Sequence, residues 1–235
     1  MTTLVLLHGA WHGAWCWELF GVEARALGRE TIAIDLPGGA ADAGAHAQVE
    51  FVAAAVRDVV GLDDVVVVPH SLAGLVAPMV ADRIGARGVV NLAALTPEVG
   101  VSGLAQARAL PDIYTEPYRT APMTRNPDTS TSVPIDVARE LLFHDVDVDR
   151  AGWAFARLRP QFWGSWLDPC PIESWPTIRY AHVACADDRV LGAEGMVDGA
   201  RRTQAPLTWI PGGHTAMLAR PSESAAAVAA AIDAW

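Results

Sequence analysis

Ser71 stands in the run Pro69-His70-Ser71-Leu72-Ala73-Gly74, between an all-valine stretch, Val65 to Val68, and a helical pattern that begins at Leu72. A serine on a sharp strand-to-helix turn has its hydroxyl lifted above the sheet, and the turn demands small residues two positions to either side. Ala73 meets that demand. Pro69 stands where a glycine is usual; its fixed φ suits a strand end but removes a backbone donor. A plainer role for Ser71 is to cap the following helix. A nucleophilic serine needs a base, and His214 lies in Pro211-Gly212-Gly213-His214, after the last strand pattern and before the last helix. The acid that orients such a base is expected between the two in chain order, after the next-to-last strand. Asp187 and Asp188 both follow the strand ending at Cys185. Asp188 is the preferred member, because the apolar pair Val190-Leu191 two residues on turns the loop back into the protein. Asp187, and Glu98 after the fourth strand, are alternatives.

The run His8-Gly9-Ala10-Trp11 directly follows the first strand pattern, Leu4 to Leu7. A loop there can bring a backbone N–H beside the nucleophile, to act with the N–H of the residue after the serine on a developing oxyanion. The expected donors are the amides of Ala10 and Leu72. His8 reads as a residue that ties the loop down, and His12, Trp15 and Trp17 as packing. Trp11 is a candidate for the pocket wall.

These residues need strand ends to hold them, and the chain supplies them in βα alternation. Strands are expected at Leu4–Leu7, Thr31–Ile34, Val65–Val68, Gly88–Leu92, Arg179–Cys185 and Leu207–Ile210, with helices at Trp17–Leu27, Val49–Val60, Leu72–Ile84, Gly195–Gln204 and Ser222–Trp235. A continuous valine run is the pattern of a parallel strand buried on both faces. From about Thr96 to Trp175 the alternation stops and proline and tryptophan become frequent; helices are expected only at Ile135–Leu142 and Arg150–Leu158. The reading is one domain over residues 1–235, with a core of 1–95 and 176–235 and a cap insertion of about 96–175. Trp153, Trp163 and Trp166 of the insertion, with Phe155, Phe162 and Trp175 nearby, are candidates for an apolar wall over the serine or for a small core of the cap itself.

Composition narrows the partners. All 17 basic residues are arginine against 27 acidic ones, for a formal net charge of -10. An acidic surface disfavours nucleic acid and anionic membrane as partners. Hydrophobic residues make up 51% of the chain, yet no apolar run reaches the roughly 18 residues of a membrane span. With no basic leader before Leu4, the chain reads as cytoplasmic. Three cysteines, Cys16, Cys170 and Cys185, have neither disulfide nor zinc spacing and read as small buried hydrophobes. The chemistry calls for a small-molecule substrate, no metal and no cofactor.

With these motifs assembled, the chain resembles the α/β-hydrolase superfamily, and more closely its small hydroxynitrile lyase and plant methylesterase group. Leu7 to Trp15 is similar to that group's oxyanion loop, Gly212 to Leu218 to its histidine loop, and Phe143 to Gln161, ending in Arg159-Pro160-Gln161, to its cap helices; the match is weakest at about Ser102 to Pro134. The resemblance implies a mainly parallel six-stranded sheet flanked by helices, without an antiparallel amino-terminal hairpin, and a homodimer as in many members. Lyases of the group carry a threonine at the position of Gly9 and a lysine at that of Thr215. Glycine at the first position is the esterase pattern, so the resemblance implies hydrolysis of a carboxylic ester, apolar or aromatic, a methyl ester or lactone among them. A lyase or C–C bond hydrolase with the same triad, or a hydrolase-fold receptor with negligible turnover, are the alternatives.

Overall fold

A computed structural model describes residues 1–38, 44–57, 64–172 and 174–235. Six strands, β1 (Thr3–Leu7), β2 (Glu30–Ile34), β3 (Val65–Ser71), β4 (Gly88–Ala94), β7 (Arg179–Cys185) and β8 (Leu207–Ile210), form one sheet in the order β2-β1-β3-β4-β7-β8. Every neighbouring pair is parallel. The order reverses beside β1, where the chain crosses from one edge of the sheet to build the other, and in open parallel sheets such a reversal leaves a crevice at the carboxyl ends of the strands.

Alternation of side chains along the central strands feeds two cores. Val66 and Val68 of β3, with Leu4 and Leu6 of β1, join one cluster, which also takes Phe20 and Ala24 of α1 (Glu18–Ala26) and Val228 and Ile232 of α11 (Pro221–Asp233). Val65 and Val67, with Val5 and Leu7, join the other, under Val49, Val52 and Val56 of α2 (Ala45–Arg57) and Val80 of α3 (Ala77–Ile84). A strand buried on both faces favours a continuous apolar run, which is why Val65–Val68 of β3 show no polar alternation; the buried polar residues His70 and Ser71 come only at its carboxyl end. Burial of each such side chain contributes about 1.5–3 kcal/mol.

The differences from the expected elements are local. The single helix expected over Leu72–Ile84 is a 3-10 turn, Leu72–Leu75, followed by α3, whose first turn contains Pro78, a residue that fits a helix start better than its interior. The expected helix over Val49–Val60 begins earlier, at Ala45, and positions 58–60 lie outside the described residues. None of the described residues between β4 and β7 joins the main sheet. That connection holds α4 (Gly103–Ala109), α5 (Glu116–Thr120), a two-stranded ribbon of β5 (Thr124–Arg125) and β6 (Thr131–Ser132), α6 (Ile135–Val137) running into a π-helical turn at Ala138–Leu142, α7 (Val148–Phe155) and α8 (Gly164–Leu167). After β7 come α9 (Ala193–Thr203) and, beyond β8, α10 (Ala216–Ala219). No helix among the described residues is long and apolar enough to cross a membrane.

Candidate active site

The four loops singled out by sequence all leave the carboxyl ends of parallel strands. Ser71 ends β3 with φ 52° and ψ −121°, a conformation a non-glycine residue adopts only when its surroundings impose it. Two features of the turn impose it here. The β3–β4 register slips between His70 and Ser71, and the Leu95 amide donates to the Ser71 carbonyl at 3.0 Å. Gly74 closes the turn against β4: a Cβ there would stand 1.9 Å from the Leu95 carbonyl oxygen, so no other residue fits. Pro69, opposite Leu7 of β1, is accommodated just before the register slip.

His214 and Asp188 meet behind this turn. His214 Nδ1 donates to Asp188 Oδ2 at 2.8 Å, with the two side chains only 2% and 3% exposed. That bond leaves Nε2 as the ring nitrogen able to take a proton. Asp188 Oδ1 accepts the amides of Val190 and Leu191 at 2.7 and 2.9 Å, so the turn that favoured Asp188 in the sequence also clamps its carboxylate. The alternatives are occupied elsewhere. Asp187 Oδ2 accepts the Gly212 amide at 3.1 Å and so supports the histidine loop, and Glu98 pairs with Arg202 at 3.1 Å. The same loop is held from the β4–β7 connection, where Asp145 Oδ2 accepts the Gly213 amide at 2.8 Å and the Leu142 carbonyl accepts the Thr215 hydroxyl at 2.5 Å.

Buried imidazoles surround the serine. His70 Nε2 donates to the His214 carbonyl at 2.9 Å, and the two rings lie 4.6 Å apart. Burial holds His70 well below the usual histidine range, and lowers His12 to about 3 and His8 to about 4. All three are therefore neutral at pH 7. Gly9 lies against this cluster, where a Cβ would come within 2.7 Å of Ser71 Cβ and 2.8 Å of His70 Nδ1. The glycine is thus required by contact with the serine turn.

Ser71, His214, Ala10, Leu72, Trp11, Tyr114, Tyr118 and Trp163 line one small cavity, about 10 Å³ of free space, barely the room that one water molecule needs. Across Tyr114, Tyr118 and Trp163 lies a much larger cleft of about 670 Å³, walled also by Leu104, Phe162, Trp166 and Arg125. Trp11 and Trp163 line the Ser71 cavity, and Trp163 and Trp166 line the larger cleft. Trp153 does not: its ring packs edge-on against Trp15, with the Arg157 guanidinium 4.2 Å above it, and it lines neither space. Its position on α7 turns it toward Trp15, at the far end of the loop after β1.

Tyr114 and Tyr118, stacked at 4.8 Å, carry no signal in the sequence beyond their spacing of four, and α5 is too short to show a period. Arg159, Gln161 and Thr131 were likewise invisible as neighbours of Trp11, being more than a hundred residues away in the chain.

Comparison with known proteins gives the following. Residues 4–231 match the family model described as the alpha/beta hydrolase family. A carbendazim hydrolyzing esterase of Nocardioides sp. (strain SG-4G) is 38% identical over 120 residues, 47% of this chain and 50% of that protein. Methylesterase 7 of Arabidopsis thaliana is 29% identical over 105 residues, 40% of each. The matched segments thus span half or less of these curated relatives. Among solved structures, polyneuridine aldehyde esterase superposes with a TM-score of 0.82 at 18% identity, over 100% of this chain and 99% of that one. The Arabidopsis methylesterase MES16 gives 0.79 at 18% identity over the full length of both, which establishes a shared fold.

Proposed function

Because the chain belongs to the alpha/beta hydrolase family, we propose that it is a serine hydrolase that cleaves a small apolar or aromatic carboxylic ester through an acyl-enzyme. The observation that carries this reading is the placement of Ser71 and His214 on one cavity with Asp188 bonded to the far nitrogen of the imidazole. Ser71 attacks the carbonyl carbon as His214 Nε2 takes its proton, and the amides of Ala10 and Leu72 hold the oxyanion. His214 returns the proton to the departing alcohol. Water then repeats the sequence on the acyl-enzyme and releases the acid. Asp188 holds the tautomer and stabilises the imidazolium without itself becoming protonated.

Ester chemistry is favoured over the lyase reading at two positions. Gly9 has no room for a side chain, and the Thr215 side chain is fully buried with its hydroxyl spent on Leu142, so neither offers a group to a cyanohydrin or cyanide. Two relatives bearing esterase names support the same choice. The aromatic lining of the cleft beyond the serine favours a flat or apolar substituent, a methyl ester or lactone of an aromatic acid being within the class.

The test is turnover of a panel of p-nitrophenyl and aromatic methyl esters by the wild type and by Ser71→Ala, together with labelling by a fluorophosphonate. Turnover and labelling should both vanish in Ser71→Ala, a fall in kcat on the order of 10⁴-fold or more. Ester turnover that survives the substitution would overturn the assignment, and labelling of Ser71 with no turnover of any ester would move the function to C–C cleavage or ligand reception.

A further inference from the structure

The peptide that would supply one oxyanion donor is held by a chain of contacts that begins outside its own loop. A trans peptide is planar, so fixing its carbonyl fixes the opposite direction of its N–H. The Gly9 carbonyl accepts His8 Nδ1–H at 2.9 Å and the His12 amide at 3.3 Å, which sets the direction of the Ala10 N–H. His8 can donate from Nδ1 only if Nε2 is the acceptor, and Nε2 accepts the Leu36 amide at 3.0 Å and faces Arg159 Nη2 at 3.0 Å. Arg159 does more than face His8. Its Nε donates to the His12 carbonyl at 3.0 Å, its Nη2 to the Leu36 carbonyl at 3.1 Å, its amide to the Trp11 carbonyl at 2.8 Å, and its Nη2 lies 3.1 Å from Asp35.

Two residues on, Gln161 takes the other side of the loop. Its Oε1 accepts the Trp11 amide at 3.1 Å, while its Nε2 donates to the Phe162 carbonyl and its backbone pairs both ways with Thr131 at 2.9 Å. Trp11 has φ 62°, a left-handed conformation that a bulky residue keeps only when its neighbours over-determine it. Its N–H, its carbonyl and its indole N–H, the last donating to Thr131 at 3.1 Å, are all engaged by residues of the β4–β7 connection.

We infer that Arg159 and Gln161 are positioning residues for the oxyanion site: they lock Trp11 in its left-handed turn and His8 in the Nδ1–H tautomer, and so aim the Ala10 amide at the oxygen of the tetrahedral intermediate. This rests on the serine-hydrolase reading above. Loss of the latch should weaken binding of the transition state while leaving the cleft that binds the ground state, since neither side chain lines the Ser71 cavity or the large cleft.

The experiment compares Gln161→Leu, Gln161→Glu and Arg159→Met with the wild type on one aromatic ester. It reads kcat and KM separately, the inhibition constant of an aryl trifluoromethyl ketone, whose hemiketal oxygen occupies the oxyanion position, and thermal unfolding as a check of folding. Gln161→Leu and Arg159→Met should lower kcat about 10- to 100-fold with KM within about 3-fold, and weaken the ketone by the same factor as kcat. Gln161→Glu keeps an acceptor for the Trp11 amide but loses the donor to the Phe162 carbonyl, and should lose less in kcat and ketone affinity than Gln161→Leu. Folded Gln161→Leu with wild-type kcat and ketone affinity would overturn the inference, as would equal losses in the Leu and Glu variants. Should Arg159→Met fail to fold, the Gln161 pair decides alone. Failure of the underlying reading is separate, because it shows as turnover persisting in Ser71→Ala.

Discussion

Asp187 and Asp188 are neighbours of identical chemistry, and their different surroundings divide the labour between them. Asp188 Oδ1 is satisfied by the amides of Val190 and Leu191, which frees Oδ2 for His214 in a nearly closed site. Asp187 is exposed and bonds the Gly212 amide, one step removed from the imidazole. Asp188→Asn preserves the shape but can present an N–H to the ring and so favours the wrong tautomer. It should lower kcat on the order of 10³- to 10⁴-fold with the fold intact. Asp187→Asn should cost no more than about 10-fold, since an amide oxygen can still accept from Gly212. Steady-state kinetics on an ester that the wild type turns over distinguish the two, and the reverse ranking would make Asp187 the functional acid. That Asp188 is the aspartate that meets His214 was legible in sequence because the cause is local: an aspartate two and three residues before two amides can fold its carboxylate onto them. The neighbour of Trp153 was not legible for the converse reason, since the direction of a ring depends on which partner meets it across the fold, here Trp15.

At the scale of elements, legibility follows the range of the determining forces. Strands β7 and β8 coincide with the sequence expectation residue for residue, because each is a short run of strand-forming residues bounded by turn residues, Pro176 before β7, Pro206 before β8 and Pro211-Gly212 after it. The turn at Ser71 was likewise readable, as the serine, the small Ala73 and the flanking valine strand lie within a few positions; the close approach of Gly74 to Leu95 was not, because it is made across the sheet. Inside the β4–β7 connection, α5 and the β5–β6 ribbon are too short for a period, and their places are set by contacts such as Tyr118 on Tyr114, Tyr114 on Trp166 and the backbone pairing of Thr131 with Gln161. That the pair of tyrosines stands between the serine's cavity and the large cleft has a consequence for specificity. Because both rings line both spaces, truncating one should join the serine's cavity to the cleft without touching Ser71, His214 or Asp188. Tyr118→Ala should raise kcat/KM for a bulky naphthyl ester relative to the acetate about 10-fold, a gain of about 1.4 kcal/mol in discrimination. An unchanged ratio, measured by competition between the two esters, would show that substrate reaches Ser71 by another route.

For the molecule as a whole, the same burial that packs imidazoles around the serine makes stability depend on pH. His8 and His182 are lowered to about 4, His12 to about 3, and His70 well below its ordinary value of 6.5, each first through burial, which disfavours the charged ring. In the unfolded chain these rings take up protons as pH falls through 6.5; in the folded chain they do not until about 4 or lower. The unfolded state therefore binds more protons across that window, and stability rises with pH within it. The contribution of these histidines is complete above about 6.5 and is lost progressively on acidification toward 4, at no more than about 1.4 kcal/mol per pH unit for each ring. Carboxylates held low by partners, such as Asp64 beside Thr2 and Asp198 beside Arg201 and Arg202, add their loss only below their ordinary 3.8 and so do not confuse the range from 7 to 5. A loss of a few kcal/mol in a chain of this size corresponds to a fall in Tm of about 5–10 °C. Scanning calorimetry at pH 8, 7, 6 and 5 should show little change between the first two and a steepening decline thereafter. His182 Nε2 donates to the Thr203 hydroxyl at 2.9 Å, that hydroxyl donating in turn to the Gly199 carbonyl at 3.1 Å; the ring is on β7 and outside the serine's cavity, so His182→Gln removes one titrating group without touching Ser71, Asp188 or His214. Its Tm should be lower than the wild type's at pH 7 and should fall less steeply between pH 6 and 5; a parallel decline in the two proteins would mean that the acid sensitivity arises elsewhere.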